Sequence, residues 1–422
     1  MTTFEPGTAL TDSQLAEIYC DLHRHPELSY QETRTARILE TALRVWGYDV
    51  HTGIGGTGVV GVLNNGDGPT VLLRADMDAL PLVEKTGLSY ASMQRAVDRL
   101  GNDVPVMHAC GHDVHMTCLL GAAAQLAADT TTFSGRVIVL FQPAEEVGSG
   151  AQAMIDDGLF DLVGRPDVVL GQHVSPLPAG CIAIHPGMAM ASSDSLTVTM
   201  HGRGGHGSRP ESTIDPIVMA AATVMRLQTI VARETAGAET AVVTVGMIQA
   251  GTTNNIIPDE AQLRLNVRSF DPKVRARTLA AISRIVQAEA AASGAPVATV
   301  EHTDYFPPLL NDAEAVDRAR EAFADWLGDA AVIDPGAMTG SEDVGVLAQA
   351  AGVPCAFWFL GGADPALFAG ARDQDELLEV LRDVPSNHSP HYSPVIEPTL
   401  RLGVDALLTA LRAWQPVHTT RA

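Results

Sequence analysis

The chain has 422 residues, of which 46% are hydrophobic, and its formal net charge is −23 at pH 7. This length favours two domains, and the strongly acidic balance argues against nucleic acid or an anionic membrane as a partner. The five cysteines are scattered and odd in number, no long apolar run could span a membrane, and the first residues lack a signal-peptide pattern. We therefore expect a cytoplasmic protein with no disulfide framework.

The N-terminal residues predict helices followed by a hairpin. Helical periodicity runs from Thr11 to Trp46, with Thr11 or Asp12 as the N-cap. The Gly-rich stretch 53–58 literally satisfies a dinucleotide-binding fingerprint. However, it leads into a strand-like run and a turn, with no helix start on which a pyrophosphate could sit. We interpret it as a β-turn, and we expect the next strand at 70–74.

The first chemically informative cluster is His108-Ala-Cys110-Gly-His112-Asp113-Val-His115. Thiol and imidazole groups at this spacing are typical ligands of a divalent metal. Cys110 alone would be interpreted as a small buried hydrophobic residue. The stretch 93–105 before the cluster has a helical look, and an Ala-rich helix is expected over 117–126.

A second cluster follows a buried strand. The apolar run 137–141 is typical of a parallel strand, and Glu145 and Glu146 come just after it, where ligands bind in open α/β sheets. Another apolar run, 167–171, precedes His173 at the same edge. Adjacent glutamates are often a solvated turn, and a single histidine after a strand is often packed in a loop. The joint occurrence with the first cluster nevertheless indicates a metal site.

The periodicity changes near Met188 and changes back near Tyr305. Between them, alternating runs predict antiparallel strands and 3.6-residue periodicity predicts helices. The expected strands are 195–201, 240–245 and 260–267, and the expected helices are 216–233 and 274–292. After this region, 354–360 predicts a late core strand and 399–411 a closing helix.

With these blocks the chain resembles the metal-dependent amidohydrolases and carboxypeptidases of the M20 peptidase clan. The most similar subgroup contains aminoacylase-like, hippurate and indoleacetyl-amino-acid hydrolases. The resemblance runs over almost the whole chain. Beyond the two clusters, it is carried by the blocks Asp21–Glu27, Leu73–Pro81, Gly202–Pro210, Asn255–Pro258, Gly340–Asp343 and His388–Tyr392.

The resemblance implies an α/β fold with a mostly parallel sheet in a dimetal catalytic domain. That domain would comprise residues 1–188 and 304–422. Residues 189–303 would form an inserted α+β, ferredoxin-like domain that serves for dimerisation and as a lid. The protein would then be a homodimer.

The resemblance also implies two divalent metal ions per subunit, about 3.5–4 Å apart, of which Zn, Mn and Co are candidates. The residues that match the ligands of the family are Cys110, His112, Glu146, His173 and His388. His391 is the rival of His388. We prefer His388 because of its spacing from the Pro and the aromatic residue that follow it.

Glu145 is then available as the general base that takes a proton from the attacking water. Asp76 and Asp113 match groups that orient metal ligands. Arg74 cannot ligate a metal, so its role must be structural or electrostatic.

Three residues of the inserted region match substrate-contacting positions. The resemblance implies that His206 reaches into the active site of the partner subunit, although an exposed loop histidine is the simpler interpretation. Asn255 would bind substrate as well. Arg268 would clasp a substrate carboxylate, with a surface salt bridge as the alternative.

The expected function is therefore hydrolysis of the amide bond of an N-acyl amino acid, releasing a carboxylic acid and a free amino acid. A metallocarboxypeptidase acting on short peptides is the alternative among enzymes. A non-catalytic dimeric binding protein on the same scaffold is disfavoured because Glu145 and all five candidate ligands are present.

Overall fold

The computed structural model describes residues 4–372 and 374–415. The chain divides into two compact units. The first unit comprises Met1–Gly187, Leu310–Gly336 and Asp343–Ala422, and the second comprises Met188–Leu309 and Ala337–Glu342. No sequence pattern predicts that the short segment Ala337–Glu342 belongs to the second unit.

The helices and strands of the described residues alternate along most of the chain. The α-helices are α1 (Asp12–Arg24), α2 (Thr33–Val45), α3 (His112–Ala128), α4 (Gly150–Asp156), α5 (Leu159–Val163), α6 (Pro216–Thr229), α7 (Pro272–Ala292), α8 (Ala313–Leu327), α9 (Val344–Ala351), α10 (Gln374–Asp383) and α11 (Thr399–Ala413). The strands are β1 (Asp49–Ile54), β2 (Gly58–Asn65), β3 (Thr70–Asp76), β4 (Arg95–Val97), β5 (Asp103–Pro105), β6 (Gly135–Gln142), β7 (Val168–Pro178), β8 (Ile182–Ile184), β9 (Gly187–Met190), β10 (Ser192–His201), β11 (Gly205–His206), β12 (Ala241–Ala250), β13 (Ile256–Ile257), β14 (Glu260–Ser269), β15 (Thr299–Phe306), β16 (Leu309–Asn311), β17 (Val332–Ile333) and β18 (Cys355–Ala363).

An eight-stranded sheet forms the centre of the first unit, in the order β1-β2-β6-β3-β7-β18-β8-β17. The pairs β6/β3, β3/β7 and β7/β18 at its centre are parallel, whereas β1/β2 and β2/β6 are antiparallel. The central strands carry buried apolar runs, such as 71–73, 137–141 and 168–170, as expected where helices cover both faces of a parallel sheet. This confirms the predicted fold class and the hairpin at 53–58.

Local sequence explains where the helices of the first unit begin. Thr11 caps α1 in a capping box, in which its side chain accepts from the N–H of Gln14 and its own N–H donates to the Gln14 side chain. The Ala-rich α3 is buried on almost every face, which suits a helix packed between the sheet and α11.

The second unit is built on a four-stranded antiparallel sheet in the order β12-β14-β10-β15. The helices α6 and α7 pack on one face of it, around a core that includes Leu227, Leu263 and Ile282. The chain order β10-α6-β12-β14-α7-β15 is the predicted β-α-β-β-α-β arrangement.

Two local predictions are wrong. The stretch 93–105 is not helical, since β4 and β5 form an antiparallel hairpin there. Its turn is set by Asp98, whose side chain accepts from the N–H groups of Leu100 and Asn102, and by Gly101 at φ +83°. The strand β7 also continues past 171, so His173 lies within a strand rather than after it.

Among the described residues, no helix is both long enough and apolar enough to cross a membrane.

Candidate dimetal site

The polar side chains of the first unit converge at the carboxyl end of its central sheet. β3 ends at Asp76, β6 is followed by the 3₁₀ turn Glu145–Val147, and His173 lies on β7. His112 is the first residue of α3. Ligands of open α/β sheets bind at this edge.

Glycine at position 111 allows Cys110 and His112 to lie on the same side. Gly111 is the N-cap of α3 at φ +85°, and a Cβ there would lie 2.3 Å from a methyl group of Val174. Any other residue would be strained and would clash with β7. This explains the spacing of the Cys-Gly-His motif.

The five predicted ligands form two groups that share Cys110. The ligand atoms of Cys110, His112 and His173 lie within 4.8 Å of one another, and so do those of Cys110, Glu146 and His388. The Cys110 Sγ is 3.4 Å from His173 Nε2, and His388 Nε2 is 3.4 Å from Glu146 Oε2. We call these five residues the dimetal cluster; Glu145 lies within 4.8 Å of His112 and Glu146 by the same measure.

His112 tests whether this cluster fits a cation. Both its ring nitrogens and Glu146 Oε1 are buried and make no hydrogen bond with any described residue. The carboxylates of Asp78, Glu146 and Glu145 lie 3.4, 3.8 and 3.9 Å from the ring nitrogens, beyond good hydrogen-bond distance. Polar atoms buried without partners are costly unless something else satisfies them. Thiolate, imidazole and carboxylate together form a donor set that suits a divalent transition metal.

The pKa of His112 also indicates that the cluster fits a cation. Burial alone would lower the pKa of His112, but the negative charges of Asp76, Asp78 and Glu146 outweigh burial and raise it to about 10. The pocket therefore favours positive charge strongly enough to hold a proton on a fully buried imidazole. A bound cation would supply that charge instead.

Backbone contacts fix the orientation of His173. Its Nδ1 is 2.8 Å from the carbonyl oxygen of Val174, so this nitrogen donates and Nε2 is left as the ligand atom facing Cys110. The N–H of Val174 in turn donates to Nε2 of His115, whose Nδ1 donates to Asp76. Asp76 is thus connected to a predicted ligand through His115 and the backbone.

Asp76 and Arg74 form a buried charge network. Arg74 donates through Nε to Gln142, and its terminal nitrogens pair with Asp76 and Asp343. Burial would raise the pKa of Asp76, but His112, His115 and Arg74 outweigh it and hold that pKa well below its usual range. Arg74 thus contacts carboxylates and an amide, as a structural or electrostatic residue would.

Asp113 is not placed against any of the five predicted ligands. Its carboxylate lies 2.6 Å from His23 Nδ1, while His23 Nε2 lies 3.1 Å from Glu84 Oε1. We call Asp113, His23 and Glu84 the charge triad. Burial lowers the pKa of His23, but its two carboxylate partners outweigh burial and raise it to about 9. Sequence reasoning missed His23 and Glu84 because their partners lie far away along the chain.

Asp78 was also missed. Its Oδ1 accepts from the N–H of Glu145 at 3.0 Å, and its Oδ2 accepts from the N–H of Glu146 at 3.1 Å. The available signal was its position two residues after Asp76, beyond the end of a buried strand. His391 is directed elsewhere, since its Nδ1 is 2.9 Å from the carbonyl oxygen of Lys85.

The second unit places His206 and Asn255 side by side. Strands β11 and β13 pair His206 with Ile256, and the carbonyl oxygen of Asn255 accepts from the N–H of Gly207. His206 is exposed, and its Nδ1 accepts from the backbone N–H of Ser208 at 3.1 Å. In a neutral ring the proton is then on Nε2, which can donate outward.

Arg268 is held by neutral oxygens. Its Nε donates to Asn266 at 2.9 Å, and one terminal nitrogen donates to the carbonyl oxygen of Thr339 and to the Ser341 hydroxyl. No carboxylate among the described residues forms an ion pair with it. The alternative interpretation of Arg268, a surface salt bridge, is therefore not found among the described residues.

Comparisons with known proteins agree with this geometry. Residues 72–386 match the model of peptidase family M20/M25/M40. The chain is 39% identical over 350 residues to a hippurate hydrolase of Campylobacter jejuni, covering 82% of this chain and 88% of the relative. It is 36% identical over 352 residues to a thermostable carboxypeptidase of Saccharolobus solfataricus, covering 82% and 85%. An N-acetyl-L-cysteine deacetylase of Bacillus subtilis is also 36% identical over 352 residues, covering 83% and 80%.

Solved structures show the same fold over nearly the full length. A putative aminohydrolase of methicillin-resistant Staphylococcus aureus superposes with a TM-score of 0.77 at 31% identity, covering 96% of this chain and 97% of that one. A dinuclear metal-binding peptidase of the M20 family from Bacillus subtilis gives 0.70 at 29% identity, with the same coverage.

Proposed function

The chain belongs to peptidase family M20/M25/M40 and is a metal-dependent hydrolase of amide bonds, and from this premise we propose that it hydrolyses N-acyl amino acids. The observation that carries the proposal is the position of Glu145 beside the dimetal cluster, 3.9 Å from His112 Nε2. A general base must lie within reach of the water that attacks the amide.

We assign the five residues of the dimetal cluster as metal ligands and Glu145 as the base. When bound, two divalent cations polarise the amide carbonyl and make an attacking water more acidic. Glu145 takes a proton from that water as its oxygen bonds to the amide carbon, and it returns the proton to the leaving nitrogen. The C–N bond then breaks with release of a neutral amine rather than an amide anion. Asp76 and Asp78 hold the surrounding side chains and backbone in place.

The acyl amino acid assignment is supported by the relatives and by Arg268. Two relatives are named a hippurate hydrolase and an N-acetyl-L-cysteine deacetylase. In a chain with a net charge of −23, an anionic substrate needs a local cation. Arg268, whose charge is not neutralised by any described carboxylate, is our candidate for binding the substrate carboxylate, with Asn255 as a further contact.

The proposal includes a homodimer in which His206 acts on the substrate bound by the partner subunit. The outward-facing Nε2–H of His206 suits donation to the amide carbonyl oxygen, where negative charge develops. A cytoplasmic location is also part of the proposal. It is supported by the cysteines, none of which forms a disulfide in the described residues.

A carboxypeptidase acting on short peptides is the second candidate, favoured by the relative of that name. The test is a screen of N-acetyl, N-benzoyl and N-indoleacetyl amino acids against dipeptides that have the same C-terminal residue, with Glu145→Gln as the background control. We expect the N-acyl amino acids to give the higher kcat/KM. Faster dipeptide cleavage would favour the carboxypeptidase, and no cleavage of either class would favour the non-catalytic binding protein.

A further inference from the structure

The turn that presents Glu145 and Glu146 is held in an unfavourable backbone conformation. Ala144 lies in the left-handed region at φ 51°, ψ 41°, which residues with a Cβ rarely adopt. The turn is also packed tightly, since a Cβ on Gly150 would lie 1.6 Å from the carbonyl oxygen of Pro143. Such a conformation persists only where the surroundings impose it.

Two buried carboxylates impose it from outside the turn. Glu32 Oε1 accepts from the N–H of Ala144 at 2.9 Å, and Asp78 accepts from the N–H groups of Glu145 and Glu146. Consecutive N–H groups in such a turn form a concave site for an anion. Here the carboxyl oxygens of Glu32 and Asp78 are the acceptors.

Both carboxylates are fixed by hydroxyl groups. The Thr57 hydroxyl donates to Glu32 Oε2 at 2.6 Å, and the Ser29 hydroxyl donates to Asp78 Oδ2 at 2.6 Å. Glu32 is fully buried. The linker between α1 and α2 therefore contributes to the turn twice, through Ser29 and Glu32.

We propose that Glu32 is a positioning residue for hydrolysis, which acts by fixing the Ala144–Glu146 turn and thereby the directions of the Glu145 and Glu146 side chains. The inference rests on the proposed function, because Glu145 is its base and Glu146 one of its metal ligands. Those side chains project from adjacent residues, yet both reach within 4 Å of His112 Nε2. Loss of the Glu32 contact would let the turn relax and would move both carboxylates.

If Glu32 had a purely structural role, its removal would lower the melting temperature without changing kcat. Glu27 is the matched control for such a role. The Glu27 side chain accepts from the N–H groups of Arg34 and Thr35 at 3.0 and 2.8 Å, at the start of α2, and not from the N–H groups of the Ala144–Glu146 turn. It is thus another carboxylate that binds backbone N–H groups near the same linker. Its removal should lower the melting temperature without changing kcat.

The experiment compares Glu32→Met with Glu27→Met, because methionine keeps the side-chain length but offers no acceptor oxygen. For Glu32→Met, we expect kcat at saturating metal to fall about 10²-fold while KM stays within about threefold of wild type. Metal affinity should weaken, and hydrogen exchange at the Ala144–Glu146 amides should speed up. A kcat loss no larger than that of Glu27→Met would overturn the proposal.

Two further variants separate geometry from folding. Glu32→Gln keeps an acceptor oxygen for the Ala144 N–H, so kcat should stay within about tenfold of wild type. Adding Ala144→Gly to Glu32→Met should recover about tenfold in kcat, because glycine adopts the left-handed conformation without strain. The proposal would be overturned if Glu32→Gln lost as much kcat as Glu32→Met and if adding Ala144→Gly to Glu32→Met restored none.

Should Glu32→Met fail to fold, Glu32→Asp decides the question. It keeps the carboxyl group but withdraws the acceptor oxygen from the Ala144 N–H, and a wild-type kcat in this variant would overturn the proposal. If the wild-type protein hydrolysed no amide, the proposed function would fail instead. Amide exchange and metal affinity in the same variants would still test Glu32.

Discussion

The dimetal cluster and the charge triad both combine histidine with carboxylates, and they are anchored on adjacent residues of α3, His112 and Asp113; only the cluster also has a thiol, that of Cys110. In the charge triad both ring nitrogens of His23 meet carboxylates, at 2.6 and 3.1 Å. In the dimetal cluster the ring nitrogens of His112 lie 3.4 to 3.9 Å from the carboxylates around them. In the triad the residues satisfy one another's hydrogen bonds. In the cluster the ring nitrogens of His112 have no hydrogen-bond partner among the described residues and are left to bind a cation. Among histidines that face carboxylates, the distances from the ring nitrogens help to distinguish a structural ion network from a metal site.

The largest expected effect is that of replacing Glu145, the proposed base beside the dimetal cluster. Glu145→Gln should lower kcat about 10²- to 10⁴-fold, since an amide cannot accept the proton of the attacking water. Metal content and the melting temperature should stay near wild type, measured by mass spectrometry of the metal and by calorimetry. Near-normal turnover with metal bound would remove Glu145 from the mechanism.

Metal content should also differ between variants of the dimetal cluster and of the charge triad. Cys110→Ala should lose both metals, because Cys110 belongs to both groups of ligand atoms, while His388→Ala should chiefly lose one. His391→Ala and His23→Gln are the controls and should keep both. If His391→Ala loses metal and His388→Ala does not, the wrong histidine of that loop has been assigned.

The third prediction concerns whether the active site around the dimetal cluster is complete within one subunit. His206→Ala should lower kcat on the order of 10²-fold with metal retained, because one donor to the developing oxyanion is lost. Mixing it with Glu145→Gln tests the proposed action across subunits. Random exchange of equal amounts should restore about one quarter of wild-type activity, since half the dimers would have one intact site.

Two outcomes would contradict that assignment. If His206 acts within its own subunit, every site in the mixture lacks one group and no activity returns. A stable, fully active monomer would also exclude a role across subunits.

The smallest effect concerns the charge triad and pH. The pKa of His23 is raised in the folded state, from an ordinary 6.5 to about 9. The stabilisation from its charge is therefore complete below pH 6.5 and is lost as the pH rises through 9. We expect the free energy of unfolding to fall by on the order of 3 kcal/mol across this window.

Denaturation curves between pH 6 and 9.5 measure this loss. His23→Gln, which carries no titrating group at that position, should give a much flatter profile. An equally steep profile in His23→Gln would show that another group is responsible.

Most of the proposed ligands were predictable from sequence, because Cys110 and His112 lie in one short motif and Glu146 follows a buried strand. His388 could be chosen only by resemblance to a family block. The charge triad was not predictable, because His23 lies 90 residues from Asp113 and 61 from Glu84. The contact of Glu32 with Ala144 spans 112 residues and leaves no local pattern. The hairpin of β4 and β5 was mistaken for a helix, although Asp98 and Gly101 carried a turn signal.

The most direct test follows amide hydrolysis as metal is returned to stripped protein. Activity on an N-acyl amino acid should be absent without metal, should rise as Zn, Mn or Co is added, and should saturate at two ions per chain. His112→Ala should fail to recover, whereas His23→Gln should recover. Full hydrolysis by the metal-free protein, or two ions bound by His112→Ala, would contradict the assignment of the dimetal cluster.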